Sequence, residues 1–209
     1  MSKGVIGILA VFGIIAVAVV ILIFSGIGVW NNLNRNFQTV GGAQSHYSAA
    51  LNICTEKIKG VWDIANQYMA HESETFKAVA EARSGYTAAA EAFSKATSEG
   101  KGAEELTKTG SDAVRAALAF RIQVEAYPQL RAAETSQQNM RNLEEAVNEI
   151  KTALDDWISA IKTYNIYRGS AWPTIVGNFM SKFPAEIKYY EGDIKKLNVE
   201  ELNPENRNK

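Results

Sequence analysis

The chain has 209 residues and carries 22 basic against 23 acidic side chains, a formal net charge of −1 that offers no basic face for nucleic acid. One cysteine, Cys54, excludes an internal disulfide, and with only His46 and His71 the chain is poor in soft metal ligands. Pro128, Pro173, Pro184 and Pro204 are the only prolines, Ala, Glu and Lys abound between Ala43 and Tyr164, and no alternating Val/Ile/Thr run makes a strand, so the fold class is all-α.

Residues 1–3 form a short flank to an apolar stretch at residues 4–30. The run from Val5 to Phe24 has no polar side chain, and no charge falls between Lys3 and Arg35. A hydrocarbon core of about 30 Å needs roughly 20 apolar residues at about 1.5 Å of rise each, which predicts a transmembrane helix. A secretory signal peptide would have a shorter apolar region closed by an Ala-x-Ala pattern, and a buried helix of a soluble domain would be shorter and polar on one side. Ser25, Gly26 and Gly28 mark the exit, Trp30 suits the interface, and Asn31, Asn32, Asn34 and Asn36 meet water. Lys3 and the α-amine outweigh Arg35, which stands alone until Lys57. That asymmetry favours a cytoplasmic N-terminus with the following domain on the outer face.

Residues 31–190, one domain's worth of chain, read as a helical bundle. The first helix is expected to run through Phe37 toward Gly41-Gly42, where a bend is cheapest. From Ile58 to Phe93, Trp62, Ala65, Met69, Glu72, Phe76, Val79, Arg83, Tyr86, Ala90 and Phe93 follow 3–4 spacing, which predicts one amphipathic helix of about ten turns. Glu72 and Arg83 share its stripe about 16 Å apart, too far to pair, so each needs a partner from another helix or water. A structural pair or edge position is the default, and a polar site between helices is the alternative.

Ser98-Glu-Gly-Lys-Gly102 reads as a loop and Thr107-Lys-Thr-Gly-Ser111 as a second, with Ser111 as the N-cap of a helix whose inner face holds Ala113, Ala117, Phe120, Val124 and Tyr127. Pro128 kinks or ends that helix. Thr135 or Ser136 caps the next, whose seam of Met140, Leu143, Val147, Ile150, Leu154, Trp157, Ile161 and Tyr164 alternates as in a coiled coil. A column of Ala146, Ala153 and Ala160 widens the apolar face, which places this helix in a bundle rather than in an isolated dimer. Gly169-Ser-Ala-Trp-Pro173 ends it. The apolar segment through Met180 closes the bundle's end, lies on a membrane surface or meets a partner, with packing onto the bundle the default. Residues 191–209 form a polar tail, expected to be mobile from Asn198 onward.

A single N-terminal span, Tyr68-Met-Ala-His-Glu72, Val79-Ala-Glu-Ala-Arg83, Val124-Glu-Ala-Tyr-Pro-Gln-Leu-Arg131, and Tyr164-Asn165 ahead of Trp172-Pro173 together resemble the LemA family. The resemblance covers most of the chain, and Glu-Ala-Tyr-Pro-x-Leu is its most specific part. His71, Glu72, Arg83, Glu125, Tyr127 and Pro128 are its family-motif or interhelical polar positions. The family's proline-bearing segment between its first two soluble helices falls near Thr55–Val61, which here lacks proline, so that turn is different or the helix is continuous. The resemblance implies a membrane-anchored bundle of long antiparallel helices in the bacterial cytoplasmic (inner) membrane and implies no catalytic mechanism.

Site chemistry agrees with that expectation. Glu-x-x-His pairs of a di-iron bundle are missing, because Tyr68 precedes His71 and Ala43 precedes His46 at that spacing. A zinc protease would place a second histidine at Thr75, and neither a nucleophile elbow nor a phosphate-cradling loop occurs. Cys54 has no basic immediate neighbour and reads as inert. The expectation is a protein without cofactor or enzymatic activity, a scaffold whose partners are the lipid bilayer, copies of itself and other membrane proteins. Gly7, Gly13 and the alanines of the span permit close helix contact. A sensor binding a ligand near Glu72 and Arg83, and an oligomer that shapes membranes through residues 171–180, are the alternatives.

Overall fold

A computed structural model describes residues 3–68, 73–126 and 134–192. Five helices account for its regular structure: α1 (Lys3–Tyr68), α2 (Ser73–Ser98), α3 (Ala103–Glu125), α4 (Glu134–Arg168) and α5 (Ala171–Phe179). Among the described residues there is no strand, as the all-α class requires. The chain divides into two compact units, Met1–Thr39 with Lys162–Glu186, and Val40–Ile161 with Ile187–Lys209.

In the larger unit, four helices pack antiparallel to their chain neighbours. Tyr86 of α2 meets Thr55 of α1, and Phe93 of α2 meets Tyr47, so α1 and α2 are separate helices running antiparallel. The single helix expected over Ile58–Phe93 is therefore corrected to two. Its stripe is nevertheless the inward one on both arms, since Ala65, Val79, Tyr86 and Phe93 are buried. Both arms face one core, so their 3–4 spacing carries across the division between them and hides it.

Two further expectations are corrected. α1 continues through Gly41-Gly42 without a bend-forming break, while at Thr55–Val61 the continuous helix, one of the two alternatives, is the one formed. Thr107–Ser111 is not a loop but part of α3, where the Thr107, Thr109 and Ser111 hydroxyls donate to the carbonyls of Ala103, Glu105 and Thr107 at 2.7, 3.0 and 2.7 Å. This back-bonding satisfies hydroxyls that would otherwise compete with the helix. The loop at 99–102 forms as expected, with Gly100 at a φ of 65° that glycine adopts without steric cost. Thr135 and Ser136, expected as caps of the next helix, lie inside α4.

The expected bundle seam is sealed from solvent. Leu143, Val147, Ile150, Leu154, Trp157 and Ile161 have no exposed surface, and Tyr164 extends the line. On α3 the same holds for Ala113, Ala117, Phe120 and Val124. The smaller unit contains the apolar run of α1, whose most hydrophobic window is wholly uncovered by the rest of the chain.

Candidate functional site

Tyr47 is the point where the four helices of the larger unit meet. Its ring is 5.0 Å from Phe93 on α2 and 6.0 Å from Trp157 on α4, and its hydroxyl donates to the Gly110 carbonyl on α3 at 2.8 Å. Gly110 permits that approach, because a Cβ there would stand 3.2 Å from the Tyr47 ring. About two turns further along α1, the Tyr86 and Thr55 hydroxyls share a hydrogen bond of 2.7 Å beside Cys54.

This polar cluster joins α1 to α2 and α3. Burial pushes the Cys54 thiol up to about 12, against a Tyr86 hydrogen bond that lowers it, and burial likewise pushes the Tyr47 and Tyr86 phenols well above their usual range. A thiol that keeps its proton is neither a nucleophile nor a metal ligand at neutral pH. Cys54 is expected to resist thiol reagents at about pH 8 until the chain unfolds. In the unfolded chain the same thiol ionises near 9.0, so above that pH the unfolded state binds fewer protons than the folded one. Stability is therefore expected to stay level up to about pH 9 and then to fall toward about pH 12, by roughly 1.4 kcal/mol per pH unit for each such group. Denaturant midpoints measured across that range check the direction.

The expected polar positions separate in the structure. Arg83 lies over the Trp62 ring, 4.7 Å from its centroid, so an aromatic face on the antiparallel helix engages its charge. Glu125 accepts from Arg121 Nε at 2.6 Å, and Arg121 Nη2 reaches Glu144 of α4 at 2.9 Å, a charged clamp between α3 and α4. His71, Glu72, Tyr127 and Pro128 lie outside the described residues. A shallow groove of about 300 Å³ runs between α1 and α2, lined by Ser48, Leu51, Asn52, Thr55, Phe93 and Thr97 among others. The hydroxyls of Ser48, Thr55 and Thr97 already donate to carbonyls of their own helices.

In the smaller unit the organising residue is Arg168, only 3% exposed at the end of α4. Its guanidinium donates to the Pro173 and Thr174 carbonyls, each at 3.4 Å, and to Asn178 Oδ1 at 2.7 Å, which seats α5. Gly177 makes room for it, since a Cβ there would fall 2.6 Å from Arg168 Cζ. Phe183 is buried against Trp30 and Phe37 of α1 at 4.9 and 6.1 Å, and Tyr164 donates to the Pro184 carbonyl.

Sequence reasoning passed over Tyr47, Arg168 and Phe183. For Tyr47 a signal was present, because Val40, Tyr47, Leu51, Cys54, Ile58, Val61 and Ala65 already keep 3–4 and 7 spacing well upstream of Ile58, and all seven are buried. Arg168 and Phe183 have no such periodic mark. No curated protein matches the chain. The LemA family model matches residues 44–200, and with that match over most of its length the chain belongs to the LemA family.

Proposed function

We propose that this protein is a non-catalytic scaffold, anchored in a membrane by α1, whose helical domain works by contact with copies of itself and with other membrane proteins. The apolar run carries the reading. Ile14, Phe12 and Phe24 are 70%, 66% and 69% exposed, and only hydrocarbon or other apolar helices make such a surface stable. A Cβ at Gly7 or Gly13 would meet nothing within 4 Å, so both faces of the run remain open to a second helix. The polar groups Tyr47, Tyr86 and Arg168 support the non-catalytic part, because they are engaged in joining or seating helices.

The charge asymmetry between Lys3 and Arg35 supports a cytoplasmic N-terminus in a bacterial inner membrane, with the domain outside. A sensing role around Arg83 draws less support, since that side chain is already engaged by Trp62. Light scattering of the full-length protein in mild detergent tests the proposal. A homo-oligomer is expected. A monomer whose melting temperature rises on adding a small-molecule ligand would replace scaffolding with sensing.

A further inference from the structure

In the smaller unit the seating of α5 leaves an apolar surface that none of the described residues covers. Ile175, Phe179 and Met180 are 47%, 87% and 40% exposed, and the first two lie four residues apart on one helix face. Single exposed apolar residues are ordinary, whereas a group of them on a stretch without charge is not. Between Arg168, which is buried, and Glu186 the only ionisable side chain of the Asp/Glu/Lys/Arg set is Lys182.

The position of this patch along α1 says what covers it. Phe183 packs on Trp30, and Lys182 reaches both that ring, at 5.5 Å, and Asn34 Oδ1, at 3.2 Å. Trp30 is the last residue of the apolar stretch at 4–30, so the segment carrying Phe179 and Met180 is clamped where the anchor leaves hydrocarbon. Indole rings and lysines are the side chains that favour this level of a bilayer. Three apolar residues are too few for a protein partner, whose stable interfaces take about 20–30 residues a side.

We propose that α5 is a second membrane contact, lying on the surface of the bilayer that α1 enters, with Ile175, Phe179 and Met180 at the boundary of headgroups and acyl chains and Lys182 among lipid phosphates. The inference rests on the reading of α1 as a span, and its test separates the two. Full-length protein carrying Phe179→Cys, Ile15→Cys or Ile53→Cys is labelled with an environment-sensitive fluorophore. The buried Cys54 leaves each introduced thiol as the reactive one. The proteins are reconstituted into vesicles of phosphatidylcholine and phosphatidylglycerol, with and without brominated acyl chains.

Bromine is expected to quench most of the emission from positions 179 and 15 and to leave position 53, far along α1, unchanged. Quenching at 15 without quenching at 179 overturns the proposal and leaves the anchor standing. A blue-shifted but unquenched label at 179 also overturns it, because protein rather than lipid then covers the patch. Unquenched emission at both 15 and 179 removes the anchor and the proposal together.

Discussion

Trp157→Ala is expected to cost about 3–5 kcal/mol, the range for emptying the space of a fully buried aromatic, out of a total stability of about 5–15 kcal/mol for a domain of this kind. Trp157 has no exposed surface and stacks on Tyr47, so its removal loosens the residue that also contacts α2 and α3. The effect spreads beyond α4 for that reason. Exposed Asp156 next to it is the control, and Asp156→Ala is expected to change stability by no more than about 0.5 kcal/mol. Urea unfolding of the detergent-solubilised protein, followed by helical circular dichroism, compares the two. Equal midpoints would show that the seam does not hold the larger unit together.

The apolar run of α1 supports an equally large prediction with an instructive threshold. Fifteen of the residues from Val5 to Phe24 are Val, Ile, Leu or Phe. At about −0.3 to −0.6 kcal/mol each they favour insertion by roughly 4–9 kcal/mol, whereas one central arginine costs about 2.5–3.5 kcal/mol. Ile15→Arg alone is therefore expected to remain in the carbonate-washed membrane fraction. Replacing Ile14, Ile15 and Val17 together by arginine costs roughly 8–10 kcal/mol and is expected to abolish integration. Release of the unsubstituted protein by carbonate would contradict the anchor outright.

How much of this was legible in the sequence depends on whether a feature is local. The α4 seam was readable because its 3–4 alternation runs from Met140 to Tyr164 without a break, and burial follows it from Leu143 onward. The division into α1 and α2 was not, because the stripe resumes in phase on α2 and no glycine or proline falls between Tyr68 and Ser73. Thr107–Ser111 has the composition of a loop, yet each hydroxyl finds a carbonyl one turn back and Gly110 serves Tyr47.

Long-range contacts are the part that periodicity cannot supply. Tyr47 was recognisable as a buried position, but its partners lie between Phe93 and Trp157 and are set by how four helices pack. Arg168 would pass for a solvated residue at a helix end, where lysine and arginine are common. Its burial depends on Gly177, nine residues later, being too small to displace it. The same holds for Phe183, whose place beside Trp30 gives the apolar face of α5 its relation to the anchor.

Counting protein copies per particle in a bilayer tests the central claim most directly. Full-length protein carrying one fluorophore per chain, reconstituted at high lipid dilution, is followed by single-molecule photobleaching. Membrane-held self-assembly predicts several bleaching steps in most spots, unchanged on further dilution. Single-step spots throughout, from protein firmly held in the membrane, would contradict it.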